Sequence, residues 1–231
     1  MTGPVALVGS GEYLDVMTET ERLLLQGRPP RYVQIPTAAA LEGEESLARW
    51  VALGREQAER LGVEAVPVVA RDRAEADSEE LAALVEGAGL VYLSGGNPPY
   101  VASTLRGTRL WDAVQRAWQA GAALAGCSAG AMALTSWVPD IRDPEGAPDP
   151  GLGVVPHVRV IPHFDRLVEW MPDLVGRFLA HALEGDVVLG IDEDTAMVQD
   201  DGRWTVHGRQ SVWVLTHDDR VAYGAGEVVP V

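Results

Sequence analysis

The chain has 231 residues, 47% of them hydrophobic, and a formal charge of -16 at pH 7. All 18 basic residues are arginine, so the surface is acidic and argues against nucleic acid or an anionic membrane as a partner. A single cysteine excludes an internal disulfide framework and a cysteine-based zinc site, no apolar run reaches membrane-spanning length, and the N-terminus lacks a charged-then-apolar leader, so a cytoplasmic location is expected.

The length fits one domain spanning residues 1–231. Pro4 to Val8 reads as a buried strand that ends in Gly9-Ser10-Gly11-Glu12. The full dinucleotide-binding glycine pattern is absent there, because Leu14 takes the place of its last glycine. A helix is expected over Asp15–Gln26, stopped by Gly27. Arg31–Pro36 is a second strand. Glu44–Leu61 places Leu47, Trp50, Val51, Ala58 and Leu61 at helical spacing, with Gly62 as its stop. Val63–Val69 is a third strand, Asp77–Glu80 starts a helix, and Leu90–Leu93 is a fourth strand. Helices follow over Pro99–Leu105 and Arg109–Ala120. Alternating strands and helices predict an α/β three-layer sandwich, a mostly parallel sheet with helices on both faces.

In such folds sites form outside the carboxyl ends of the strands. The apolar run Ala122–Ala125 leads there into Gly126-Cys127-Ser128-Ala129-Gly130, and Ala131–Leu134 can open a helix. Gly-x-Ser-x-Gly between a strand and a helix is the nucleophile-elbow pattern. It needs small neighbours, because the turn is sharp and the strand and helix come close. The Ser128 hydroxyl would stand above the sheet, and the Ala129 N–H would face a developing oxyanion. Cys127 lies off the centre of the glycine frame and reads as a small buried residue. Ser94-Gly95-Gly96-Asn97 also joins a strand to a helix, and its glycines can expose further backbone donors.

Residues 136–156 form a long Pro-, Gly- and Asp-rich loop of the kind that covers a site. Val158–Pro162 is a strand that delivers His163 to its end. Val168–Leu183 is helical in part, interrupted early by Pro172. Val187–Ile191 is a strand that leads into Asp192-Glu193-Asp194. Ala196–Gln199, Arg203–His207 and Ser211–Thr216 alternate and predict C-terminal antiparallel strands that finish the sheet or form a small flap.

A serine nucleophile requires a base, and the base an orienting acid. Among the five histidines, His163 is the candidate base, since it directly follows an apolar strand; His207 and His217 fall in the C-terminal hairpin region. For the acid, Glu193 between Asp192 and Asp194 competes with Asp140 and Asp143 of the long loop.

Four segments occur together and in order: Ser-Gly-Gly-Asn at 94–97, Gly-Cys-Ser-Ala-Gly-Ala at 126–131, Pro-His-Phe at 162–164 and Gly-Ile-Asp-Glu-Asp-Thr-Ala at 190–196. The combination resembles the aspartyl dipeptidase (peptidase E) and cyanophycinase family of serine peptidases, which is similar in fold to class I glutamine amidotransferases. The resemblance implies Ser128 as nucleophile, His163 as base, Glu193 as acid, and Gly96 with Ala129 as oxyanion donors. It implies acyl transfer without a metal or cofactor, on a small peptide as substrate, and leaves monomer or homodimer open. Around the substrate the match thins. The Gly-x-Thr-Arg segment of the aspartyl dipeptidases is missing after Phe164. The glutamine before the histidine in cyanophycinases is Pro162 here. Asn97, Arg142, Arg159 and Arg166 are the candidates for gripping the substrate. A cyanophycinase-like peptidase on branched acidic peptides, an α/β-hydrolase-type esterase using Asp140 or Asp143, and a non-catalytic amidotransferase-like binding protein are the competing readings.

Overall fold

A computed structural model describes residues 2–139, 147–171 and 173–231. Five short apolar strands lie parallel at its centre: β1 (Val5–Val8), β2 (Arg31–Ile35), β3 (Glu64–Pro67), β4 (Leu90–Leu93) and β5 (Ala123–Cys127). Their order is β1-β5-β4-β2-β3, and β5 is held on both sides, with Val8 opposite Cys127 and Leu93 opposite Gly126. Three antiparallel strands, β10 (Thr195–Asp200), β11 (Arg203–Gly208) and β14 (Val228–Val229), extend the sheet beyond β1.

The period of two in these strands divides the core. Val5 and Leu7 of β1, Val33 and Ile35 of β2, and Leu124 of β5 point to one face, where they join Val101, Leu105, Leu110 and Val114. Those four come from the helices α5 (Pro98–Leu105) and α6 (Arg109–Gln119). Ala6, Val8, Tyr32, Tyr92 and Cys127 point to the other face, toward Leu24, Leu25 and Ala58 of α1 (Thr18–Leu25) and α2 (Glu44–Leu61). Residues buried on both faces explain why these strands read as unbroken apolar runs.

The helix ends follow local chemistry. The Asn97 side chain accepts from Tyr100 N–H ahead of two prolines that preset the first turn of α5. Gly62, left-handed at φ 71°, closes α2 by donating to the Ala58 and Glu59 carbonyls. Two short helices, α3 (Arg73–Ala76) and α4 (Glu79–Ala83), fill the crossover before β4. The predicted helix at 15–26 starts as a 3-10 turn, Asp15–Met17, before α1.

The strands that carry His163 and Glu193 lie outside the main sheet. β8 (Val158–Ile161) and β9 (Val187–Ile191) pair in parallel, and β12 (Val212–Leu215) and β13 (Arg220–Tyr223) complete a separate four-stranded sheet ordered β13-β12-β9-β8. Its buried residues Val160, Ile161, Leu189, Ile191 and Val212 join the core shared with α5 and α6. Between the two sheets run a five-residue helix, α7 (Ala129–Ala133), and the two-residue strands β6 (Trp137–Val138) and β7 (Asp149–Pro150) that bound the long loop. After β8 come α8 (Phe164–Trp170) and α9 (Leu174–His181). Among the described residues no helix is long and apolar enough to cross a membrane.

Candidate active site

Ser128 sits at the turn from β5 into α7, at φ 49° and ψ -110°. A non-glycine residue rarely occupies that region, and it persists only where its surroundings hold it. Here they do. The Ser128 N–H donates to the Val8 carbonyl at 2.9 Å. A Cβ on Gly126 would stand 2.5 Å from Gly130 backbone atoms, and one on Gly130 would stand 2.4 Å from the Leu93 carbonyl. The two glycines therefore let the helix backbone lie directly against β4 and β5, which is the small-residue demand read from the motif.

His163 terminates β8 and opens α8 in a left-handed conformation, φ 47° and ψ 38°. Its Nε2 lies 3.0 Å from Ser128 Oγ and its Nδ1 lies 3.0 Å from Glu193 Oε1. The imidazole thus bridges the two sheets, with the hydroxyl on one nitrogen and the carboxyl group on the other. His163 and Glu193 are each about one-third exposed, at 34% and 35% of the side chain, so solvent and a ligand reach the relay.

The three consecutive acids are sorted by where the turn after β9 points them. Asp192 is buried and accepts from the Trp213 indole and from Ser211 N–H; burial raises its pKa, against those bonds. Asp194 turns toward Arg209, 3.6 Å away. Glu193 alone faces His163. Its backbone is pinned from three sides: its N–H donates to Asp165 Oδ1 at 2.9 Å, and its carbonyl accepts from Thr195 Oγ1 at 3.1 Å and Gln210 Nε2 at 3.0 Å. Asp165 and Gln210 were not singled out from the sequence. A carboxylate two residues after a base candidate was the available signal for Asp165; Gln210 gave none.

The Gly96 turn lies beside the serine. Asn97 N–H donates to the Ala38 carbonyl, which anchors it. Among the described residues neither Gly96 N–H nor Ala129 N–H donates to a protein acceptor, so both donors are available beside Ser128.

One substrate-side expectation is corrected: Arg159 does not face the site. Its guanidinium is 2% exposed, pairs with Asp186 at 2.7 Å, donates to the Pro156 and Val158 carbonyls and lies over the Trp137 ring. It alternates inward along β8, and burial lowers its pKa against the opposing pull of Asp186. The Asn97 side-chain oxygen is spent on capping α5. Arg166 is exposed, with Nε 3.7 Å from Glu193 Oε2 and from Asp165 Oδ2. Asp140, Arg142 and Asp143 lie outside the described residues. Among the described residues no group of three or more His, Cys, Asp or Glu side chains is placed to hold a metal ion. A groove of about 630 Å³ between α4 and α6, lined by Glu86, Gly87, Arg109 and Arg116, lies by the amino end of β4, away from Ser128.

Fold and geometry together define a three-layer α/β protein with a serine, a histidine and a glutamate hydrogen-bonded in series at the carboxyl edge of its sheet. The chain belongs to peptidase family S51, whose model matches residues 5–207. It is similar over its whole length to the crystal structure of a peptidase from an acI-B1 actinobacterium, with 42% identity, a TM-score of 0.92 and 98% of that chain covered. A Listeria monocytogenes EGD-e protein that carries the peptidase E name shares the fold at 18% identity and a TM-score of 0.66, covering 91% of this chain and all of that one. A cyanophycinase of Synechococcus elongatus is 32% identical over 172 residues, 69% of this chain and 52% of the relative. The chain therefore spans about half the length of that curated relative. The family is the one to which the four ordered motifs pointed.

Proposed function

We propose that the chain is a serine-type peptidase that hydrolyses small peptides, resembling a dipeptidase, through an acyl-enzyme on Ser128. The observation that carries this is the continuous Ser128–His163–Glu193 relay on a strained strand-to-helix turn. His163 Nε2 takes the hydroxyl proton as Oγ attacks the substrate carbonyl. Glu193 accepts from Nδ1–H, which fixes the tautomer and stabilises the imidazolium. The N–H groups of Gly96 and Ala129 receive the oxyanion. His163 then protonates the leaving amine, and water, deprotonated by the same nitrogen, releases the acyl group.

Glu193 supplies the acid from thirty residues beyond the histidine, whereas an α/β-hydrolase-type esterase would place it between serine and histidine. On the substrate side, Arg166 is the cation beside the relay among the described residues, which suits a peptide with a carboxylate near the scissile bond. The test is hydrolysis of a dipeptide library by the wild type and Ser128→Ala, scanning the N-terminal residue. Ser128-dependent cleavage centred on acidic N-terminal residues is the expected result. Turnover confined to branched acidic peptides would favour the cyanophycinase-like reading. Hydrolysis retained in Ser128→Ala would remove the mechanism.

A further inference from the structure

The turn after β1 places a buried carboxyl group directly behind the proposed site. Glu12 is 8% exposed. Its Oε1 accepts from Gly95 N–H at 2.9 Å, and its Oε2 accepts from the Cys127 thiol at 2.9 Å. One side chain thus joins the turn that carries Gly96 to the strand residue immediately before Ser128. We propose that Glu12 is a positioning residue that sets the spacing between the Gly96 donor and the Ser128 turn. The proposal rests on the reading of Ser128 as the nucleophile.

Four observations support it. A Cβ on Gly95 would stand 2.7 Å from Glu12 Oε1 and 3.5 Å from Ser128 Cβ. Gly95 therefore sits between the carboxyl group and the serine with no room for a side chain. Because Gly95 N–H is taken by Glu12, Gly96 N–H is the donor of that turn left to face an oxyanion. The thiol is a committed donor, since burial first and Glu12 second push the Cys127 pKa up. Finally, the loop is clamped at its next residue. Tyr13, at φ 63°, shares a 2.6 Å hydrogen bond between its hydroxyl and Ser94 Oγ, and its carbonyl accepts from Arg60 at 2.7 Å. A buried carboxyl group is costly to desolvate, and an apolar residue would fill the space at less cost. Its two directed bonds give what an apolar residue lacks, a fixed distance between two turns that begin where the β4–β5 ladder ends at Leu93 and Gly126.

The test is the kinetics of covalent labelling by a fluorophosphonate. In that reaction the Ser128 Oγ–P bond forms, fluoride leaves, His163 takes the proton and the phosphonyl oxygen occupies the oxyanion position. The inactivation rate constant and the apparent binding constant are read separately for the wild type, Glu12→Gln, Cys127→Ser and Cys127→Ala, with thermal unfolding alongside. Glu12→Gln keeps the volume but turns one acceptor into a donor facing a donor. It should lower the inactivation rate constant about 10- to 100-fold and leave the binding constant within about 2-fold, the pattern of a misplaced oxyanion donor. Cys127→Ser, which keeps a donor, should label like the wild type, and Cys127→Ala more slowly. A wild-type rate constant in Glu12→Gln, or a change confined to binding, overturns the proposal. If Glu12→Gln does not fold, the cysteine pair decides, and equal rates for serine and alanine overturn it. A wild type that does not label removes the reading of Ser128, and the proposal with it. Labelling at Ser128 that ignores Glu12 removes the positioning role alone.

Discussion

The two sheets contribute to the site by different means. The parallel sheet presents Ser128, Gly96 and Ala129 through backbone geometry: a strained turn, glycines that admit close contact, and N–H groups that have no protein acceptor among the described residues. The smaller sheet presents His163 and Glu193 through side chains, and bonds from Asp165, Thr195 and Gln210 hold the Glu193 backbone in place. The difference teaches that the serine half is fixed by what cannot fit, and the histidine half by what is bonded. Changes in the first half should act nearly all-or-none, and changes in the second should be graded.

The largest expected effects test whether the halves act as one unit. Ser128→Ala and His163→Ala should each lower kcat by about 10⁵-fold or more, although they lie on different sheets. A double mutant no worse than either single would establish the unit, and steady-state kinetics on a cleaved dipeptide measures it. Glu193→Gln keeps the shape and loses the charge, and should cost about 10²- to 10⁴-fold in kcat with KM nearly unchanged. An Asp140→Asn loss larger than that of Glu193→Gln would move the acid into the long loop.

Arg159→Ala probes the stability of the smaller sheet. It strands Asp186, which packs at the start of β9 with 3% of its side chain exposed. Breaking a buried pair of this kind costs about 3 kcal/mol or more, read as a lower midpoint in urea unfolding. Unchanged stability would mean that the pair does not anchor that sheet.

Glu21 tests the parallel half by pH. It lies under β2 and α2, bonded to Gln57 Nε2 at 2.9 Å, and burial pushes its pKa up to about 7 against that hydrogen bond. The native state therefore holds a proton that the unfolded chain releases near its ordinary pKa of 4.5. Stability falls as pH rises from that value through about 7, by a span of order 3 kcal/mol. Glu21→Gln should flatten this slope, as unfolding measured from pH 5 to 8 would report. A slope unchanged in the mutant removes Glu21 as its source. The smallest expected effect is that of Asp165→Ala, which frees the Glu193 N–H without touching the relay. It should lower kcat about 10-fold and leave unfolding nearly unchanged.

Much of the parallel half was legible because its signals are local. Leu90–Leu93 matches β4 residue for residue, and the prolines after Asn97 mark the start of α5. The small residues around Ser128 announced the tight turn. The smaller sheet was legible only as strands. Val158–Ile161 and Val187–Ile191 show by their apolar residues that they are buried, and nothing in them says which sheet they join. Arg159 illustrates the same limit. An arginine in an alternating strand reads as outward-facing, and its inward turn depends on Asp186, which meets it only in the folded chain. Glu12 was visible as an acid in a glycine loop, but its partners lie 83 and 115 residues away.

The sequence by itself determined the layered α/β plan, the strained serine turn and the family, because strand burial, glycine packing and ordered motifs are written in neighbouring residues. The tertiary structure alone decided which of three adjacent acids meets the histidine, which arginine is buried and which is exposed, and that a carboxyl group stands behind the serine. Those choices depend on side-chain directions and on pairings between distant segments, which a linear pattern does not encode.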